Sequence, residues 1–302
     1  MGEFKSGFVS IIGRPNVGKS TLLNALIGEK ISIMTSKPQT TRTNIKGILN
    51  KENMQIVFTD TPGIHKPKNK LGTFMNKNVN HSMEGIDLLI FIVEADSKEI
   101  GKGDMYILEK VKASNMPCIL VINKIDKVKR DTLLQYITNF TKLHDFSAIV
   151  PISAIKNDGI DGLLVEIEKL LPVGPKFYDD SEITNQSEKE IAEEIIREKA
   201  LKLLQDEIPH GIFVEVTEFK VKTKLDGEKF YNIEATAYCE RESHKGIIIG
   251  KDGEMLKKIS TYARQDIEKL MNRKVNLRVW VKVKDKWRDN ENDLKKFFNT
   301  TE

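Results

Sequence analysis

Between Phe8 and Leu171 the chain alternates short apolar runs with longer stretches in which apolar residues recur every three or four positions. The runs Phe8–Ile12, Ile45–Leu49, Met54–Thr59, Leu88–Val93, Cys118–Asn123 and Ala148–Ile152 predict strands. The periodic stretches Ser20–Gly28, Leu71–Glu84, Lys102–Ser114, Asp131–His144 and Ile160–Leu171 predict helices. Strands alternating with helices of this length imply an α/β fold with a mostly parallel, doubly wound sheet. Only Asn50-Lys51-Glu52-Asn53 separates the second and third strands, so these form a hairpin and add one antiparallel edge strand.

The pattern changes after Leu171. Pro172-Val173-Gly174-Pro175 opens a polar stretch with little periodicity that runs to Gln186. Ser187–Asp206 then reads as an amphipathic helix, with Ile191, Ile195, Ala200, Leu203 and Leu204 near one face. Phe213–Lys222 and Phe230–Cys239 alternate apolar and polar residues around the turn Leu225-Asp226-Gly227-Glu228. An isoleucine run, Ile247–Ile249, leads through Gly250-Lys251-Asp252-Gly253 into a helix from Glu254 to Leu270. A strand at Asn276–Lys284 carries Leu277, Val279, Val281 and Val283 at period two, and Asp285–Phe298 reads as a closing helix. Trp280 and Trp287 are read as core or anchoring residues. The expected organisation is a first domain at 1–172, a linker at 173–187 and an α+β domain at 188–302.

Composition narrows the class of protein. The 302 residues are 39% hydrophobic and 30% charged, enough for two globular domains with cores of their own. No apolar run approaches the roughly 20 residues of a membrane-spanning helix. Cys118 and Cys239 lie too far apart in the pattern to suggest a disulfide framework, so a reduced, cytoplasmic setting is expected. The net charge is only +4, but thirteen Lys and Arg residues between His244 and Arg288 face five carboxylates. That local excess suits a polyanion such as nucleic acid.

The chemistry starts at Gly13-Arg14-Pro15-Asn16-Val17-Gly18-Lys19-Ser20-Thr21, which fits G-x-x-x-x-G-K-[ST] between a strand and a helix. In such a loop successive N–H groups and the helix dipole hold phosphates; the lysine reaches the β- and γ-phosphates and the serine holds Mg²⁺. Lys19 and Ser20 take those places here. Asp60-Thr61-Pro62-Gly63 ends the third strand, offering Asp60 to Mg²⁺ and the Gly63 N–H to a γ-phosphate. Asn123-Lys124-Ile125-Asp126 ends the fifth; a carboxylate at Asp126 accepts from both guanine donors, N1–H and the 2-amino group, which adenine lacks. Asn123 would tie strand to loop and contact the base, and the Lys124 stem would cover the ring. Ser153-Ala154 after the sixth strand offers N–H groups to guanine O6, with Ser153 as a buttress. The loop Ser32–Thr43, with Pro38-Gln39-Thr40-Thr41-Arg42, has the placement of a switch segment; Thr41 is the expected Mg²⁺ ligand and Thr40 the close alternative. A second switch would run from Asp60 through Ile64, His65, Lys66, Pro67 and Lys68.

The set GRPNVGKS, QTTR, DTPG, NKID and SA resembles the translation-factor-related GTPases, and nearly the whole chain resembles the bacterial Era family. The resemblance implies a GTPase, with GTP, GDP and Mg²⁺ bound, joined to a type II KH domain. It implies that Gly250, Lys251, Asp252, Gly253 and the nearby Lys257 form the GxxG site for single-stranded RNA, and that Lys19, Thr41 and Gly63 serve hydrolysis. It further implies, as RNA, the 3′ end of small-subunit 16S rRNA, with a monomer assisting maturation of the small ribosomal subunit. Ile64 stands where Ras-type enzymes carry the water-orienting glutamine, and is read as a hydrophobic switch residue packed away. An asparagine at the place of Asn16 is associated in related GTPases with a K⁺ ion beside the phosphates. Ser260 falls where glycine is expected of the family. Two other classes compete: a signalling GTPase whose basic face meets anionic lipid on the inner face of the cell membrane, and a scaffold whose nucleotide is structural.

Overall fold

In the computed structural model, residues 3–35, 37, 40–64, 67, 69–95, 100–205 and 208–298 are described. The main division of the chain falls between Asn185 and Gln186 and separates two compact units.

The first unit is built on β1 (Lys5–Ile12), β2 (Ile45–Lys51), β3 (Met54–Asp60), β4 (Leu88–Glu94), β5 (Cys118–Asn123) and β6 (Ala148–Pro151). They form one sheet in the order β2-β3-β1-β4-β5-β6, parallel throughout except that β2 runs antiparallel to β3. Helices α1 (Lys19–Ile27), α2 (Lys70–His81), α3 (Lys102–Ser114) and α4 (Arg130–Thr141) lie between successive strands, and α5 (Ile160–Leu170) follows the last. Val9, Ile11, Phe58 and Ile90 pack on Leu22 and Leu23 of α1 and Leu163 of α5. On the other face Ile12, Leu89 and Phe91 meet Leu108 of α3 and Tyr136 and Phe140 of α4. Burial on both faces explains why β3 and β5, every residue of which is buried, read as continuous apolar runs. β1 starts three residues earlier than its apolar run, because Lys5, Ser6 and Gly7 continue the ladder against Met54, Gln55 and Ile56.

The stretch expected as a linker does something more specific. Val173 bridges to Lys5 and Thr184 to Gly47, and the Ile48 N–H donates to the Ile183 carbonyl at 2.9 Å. Buried Gln55 accepts from the N–H groups of Phe177 (2.7 Å) and Tyr178 (3.0 Å) and donates to the Tyr178 carbonyl (2.8 Å). Residues 173–185 are therefore a strap on the first unit that covers the outer edge of β2, whose backbone groups would otherwise be unpaired.

The second unit comprises α6 (Glu188–Leu203), β7 (Phe213–Thr223), β8 (Lys229–Cys239), α7 (Glu242–Ile249), α8 (Glu254–Met271), β9 (Val275–Val283) and α9 (Glu291–Phe297). Its sheet has the order β7-β8-β9, with β8 antiparallel to β7 and parallel to β9. Ile195 and Ala200 of α6 and Ile259, Ala263 and Ile267 of α8 pack over Val216, Ile233, Ala235 and Ala237. A capping box starts α6: the Glu190 N–H donates to Ser187 Oγ, and the Ser187 N–H to Glu190 Oε2 at 2.8 Å.

Two expectations for the C-terminal stretch change. Asp285–Phe298 is not one helix: a 3₁₀ turn at Trp287–Asp289 precedes α9, whose first N–H groups are capped by Asn290. Trp287 is fully buried, donates from Nε1 to the Gly211 carbonyl at 2.9 Å and packs beside Phe213 and Phe297. Trp280 is not a core residue: it is 56% exposed. With Leu277, Val279 and Val281 packed toward the helices, strand alternation puts Trp280 on the opposite face.

Trp287→Ala is expected to lower the stability of the second unit by about 3–5 kcal/mol, through a cavity and an orphaned carbonyl. Trp280→Ala should stay within about 0.5 kcal/mol of the parent. Urea unfolding of both variants, followed by far-ultraviolet circular dichroism, checks the contrast.

Candidate nucleotide-binding site and nucleic-acid interface

The motifs GRPNVGKS, DTPG, NKID and SA lie at the carboxyl ends of β1, β3, β5 and β6, where open α/β sheets bind ligands. The loop from Gly13 to Gly18 leaves β1 and enters α1, with Asn16 (φ 67°) and Gly18 (φ 105°) in the left-handed region. A Cβ on Gly18 would fall 2.2 Å from the Asn123 amide nitrogen, so the loop can lie on β5 only with glycine there. Val17 is buried beneath the loop, Pro15 lies against Gly63, and Thr21 is half-buried on α1.

Asp60 is the electrostatic centre. It is completely buried, and its Oδ2 accepts from Ser20 Oγ (2.7 Å), Ser32 Oγ (3.0 Å) and Thr41 Oγ1 (3.2 Å). Ser20 and Thr41 lie 3.0 Å apart, while Asp60 Oδ1 has no hydrogen-bond partner. Burial pushes the Asp60 carboxyl up; the positive charge of Lys19 and the three hydroxyl donors oppose it. Lys19, itself buried, is pushed down to about 8 by loss of solvent, against the pull of Asp60. Its ammonium donates to the carbonyls of Arg14 (2.9 Å) and Gly13 (3.3 Å). Of the two threonines weighed for this place, the structure puts Thr41 beside Ser20 and Asp60.

The turn after β3 is pinned by Thr61, whose hydroxyl donates to the Ile11 carbonyl at 2.8 Å. Pro62 and Gly63 are buried with it. Ile64 packs among Ile12, Val79 and Leu89 and donates its N–H to the Gly13 carbonyl at 3.2 Å. It is packed away as expected. Pro38, Gln39, His65, Lys66 and Lys68 of the two switch segments lie outside the described residues.

Asn123 joins three loops. Its Nδ2 donates to the Val17 carbonyl at 2.8 Å, and its Oδ1 accepts from the N–H groups of Lys124 (2.8 Å) and Ala154 (3.0 Å). The amide oxygen is thus committed to the protein, leaving one N–H for a base. Lys124 takes a left-handed conformation and reaches the Asn16 carbonyl (2.8 Å) and Glu94 (2.6 Å). Ile125 is half-buried, its N–H on the Ile152 carbonyl. Asp126 is exposed and accepts from buried Ser153 Oγ at 2.6 Å, which holds its carboxyl below the usual range. One expectation needs correction: the N–H groups of Ser153 and Ala154 are not open donors. They are given to the Asp158 carbonyl (3.0 Å) and to Asn123, so a guanine O6 would have to share them.

Several residues of the site have no motif. Asn24 on α1 shapes the following loop, accepting from the N–H groups of Ile31 and Ser32 and donating to the Ser32 carbonyl. Ser32 then reaches Asp60. Asp104 of α3, fully buried, pairs with Arg14 at 2.8 Å. Only the position of Ser32 in the first switch segment could have flagged any of these.

In the second unit α7 ends at Gly250 (φ 76°) and α8 starts after Gly253 (φ 79°), with Asp252 also left-handed. The two glycines differ in what they permit. A Cβ on Gly250 would sit 2.7 Å from Met255, whereas one on Gly253 would meet nothing within 4 Å. Gly250 lets the helices meet closely; Gly253 leaves the loop bare to an approaching backbone. Lys251, Asp252 and Lys257 are exposed around them. Ser260 is accommodated by donating to the Leu256 carbonyl at 2.8 Å.

With this geometry in place, comparison with known proteins is direct. Residues 8–124 match the family described as 50S ribosome-binding GTPase, and residues 207–288 match the KH domain. The GTPase Era of Clostridium kluyveri is 54% identical over 291 residues, covering 96% of this chain and 98% of the relative. That of Ruminiclostridium cellulolyticum is 52% identical over 293 residues, covering 97% of each chain. A crystal structure of Era in complex with MgGDPNP and nucleotides 1506–1542 of 16S ribosomal RNA superposes with a TM-score of 0.94 at 39% identity, covering 99% of this chain and 100% of that one. An Aquifex aeolicus Era variant bound to GDP·AlF4⁻ gives the same values. A GTPase family match over the first unit, a KH domain after it and 54% identity over 96% of the chain place it in a family: it belongs to the Era GTPases.

Proposed function

We propose that the chain hydrolyses GTP to GDP and phosphate at the Gly13–Thr21 site and binds single-stranded RNA at the 3′ end of 16S rRNA through its KH domain. The task served is maturation of the small ribosomal subunit. The functional division is a GTPase domain at 1–172, a connecting segment at 173–187 and an RNA-binding domain at 188–302. The observation that carries the reading is the buried Asp60 carboxylate, one oxygen without a partner, beside the Ser20 and Thr41 hydroxyls and the Lys19 ammonium.

These groups fit Mg²⁺, a hard cation that takes few protein oxygens and completes its shell with phosphate and water. Ser20 and Thr41 would hold it, with Asp60 as a direct or hydrogen-bonded partner; when bound, it neutralises charge on the β- and γ-phosphates. The chain's own residues do the rest. Backbone N–H groups of 16–21 surround the phosphates, Lys19 adds a positive charge that solvent does not screen, and Gly63 supplies an N–H to the γ-phosphate. These groups position and stabilise charge, and among the described residues no side chain is identified as a general base. Asp126 selects guanine, Ser153 orients Asp126, and Asn123 and Ala154 hold that loop to the phosphate loop.

Gly250, Lys251, Asp252, Gly253 and Lys257 form the RNA clamp in this reading, where the bare Gly253 admits the phosphate backbone. Because Ile64 is packed in apolar surroundings, its side chain cannot orient the attacking water. K⁺ near Asn16 is proposed to supply part of the missing charge. A cytoplasmic location with peripheral membrane contact is proposed from the basic stretch 245–288. No described helix is long and apolar enough to cross a membrane. Flotation with anionic vesicles at physiological salt, with RNA as competitor, tests the contact.

The main test is GTP turnover by the purified chain with and without a 16S 3′-terminal RNA. Turnover that Lys19→Ala removes is the expected outcome, and none in either condition would favour the scaffold reading. kcat should be higher in K⁺ than in Na⁺ at matched ionic strength; equal values would rule out the cation at Asn16. Because the Ser153 bond holds the Asp126 pKa down, the ionised, guanine-accepting form persists as pH falls. Ser153→Ala should therefore move the acid limb of GDP affinity to higher pH, measured by fluorescent GDP titration between pH 4 and 7.

A further inference from the structure

β9 carries an indole for which the fold has no internal use. Trp280 is 56% exposed, while Leu277, Val279 and Val281 pack against the helical side of the same strand. β9 is an edge strand, so this indole stands at the rim of the sheet, on the face turned away from α7 and α8. Two residues to either side on the same face are Arg278 and Lys282, both exposed. Arg278 is only loosely paired, 3.9 Å from Glu234, with a guanidinium side chain 65% exposed. Across the ladder the register partner of Trp280 is Thr236, and beyond that Glu215, which is engaged by the Tyr238 hydroxyl.

The charge of the segment is one-sided. From Lys269 to Lys284 there are six basic residues, Lys269, Arg273, Lys274, Arg278, Lys282 and Lys284, and no carboxylate. A one-signed positive surface attracts a polyanion. Here the flanking positions on the strand are cations, which suits a flat aromatic base carried on a polyanionic backbone. An indole stacks on any base, and cations two strand positions away, about 6.6 Å along the chain, can meet the phosphates that flank it.

We propose that Trp280 is a base-stacking platform for single-stranded RNA, with Arg278 and Lys282 holding the adjoining phosphates. It takes a nucleotide beyond those clamped at Gly250–Gly253, where the strand passes over the rim of β9. The proposal rests on the reading of the second unit as an RNA-binding module. It adds a contact on the face of the sheet opposite the one that carries the GxxG loop.

The test uses the full chain and a single-stranded RNA of 16S 3′-terminal sequence. The protein has two tryptophans, and Trp287 is fully buried, so emission that responds to RNA reports Trp280. RNA is expected to quench the emission and protect Trp280 from acrylamide. Trp280→Ala should weaken binding roughly 5- to 100-fold, and Trp280→Tyr should restore most of it. Arg278→Ala and Lys282→Ala should each make binding less steeply dependent on salt. The far-ultraviolet circular dichroism spectrum and urea midpoint of Trp280→Ala should match the parent's, which serves as the folding control for the second unit. Parental affinity in Trp280→Ala together with lost binding in Gly253→Asp would overturn the platform and leave the RNA reading standing. Parental affinity in both variants would overturn the RNA reading itself. Saturating RNA that leaves the emission unchanged would overturn the platform and assign the indole to a protein partner.

Discussion

A carboxylate placed where water cannot reach it constrains the first unit more than any other single group. Asp60 ends a strand buried along its whole length, and three hydroxyls, one from α1 and two from the loop before β2, converge on one of its oxygens. Burying an anion is unfavourable unless it is paired and hydrogen-bonded. The positions of Ser20, Ser32, Thr41 and Lys19 are therefore linked, because each helps keep the charge in place. A ligand that draws on Ser20, Thr41 or Lys19 must change the balance at Asp60, and through Ser32 the start of the first switch segment.

Asn123 provides a similar constraint without charge. A single buried amide connects the Gly13–Gly18 loop to the loops at Lys124 and Ala154, so the three belong to one hydrogen-bonded assembly. Gly18 belongs to the same arrangement, since its missing Cβ is the space the Asn123 amide occupies. In the second unit, positive φ angles do the comparable work by turning α7 into α8 within a few residues.

What was legible in the chain follows from how local the physics is. The phosphate loop, the guanine loop and the GxxG turn depend on neighbouring backbone conformations, so their residues stand at readable spacings. The parallel strands were legible because burial on both faces makes them apolar throughout. Asp104 and Glu94 were not, because each acts on a residue brought close only by the sheet. The strap at 173–185 shows no period, since it adds backbone bonds one at a time to an existing edge. Trp280 is a different case: the alternation of Leu277, Val279 and Val281 already assigned it to the outer face. Its reading as a core or anchoring residue weighed residue type above strand geometry.

The strap also bears on where motion can occur. By pairing with Lys46, Gly47 and Ile48 and enclosing the Gln55 amide, it clasps the β2–β3 hairpin along the side that would otherwise be free. That hairpin runs from Ile45 to Asp60, the residue on which the hydroxyls of Ser20, Ser32 and Thr41 converge. A doubly paired hairpin resists slippage of its register and bends little. The phosphate-side end of β3, which carries Asp60, is thereby tied through β2 to a second layer of backbone bonds, so the carboxylate sits on a braced strand rather than at a free edge.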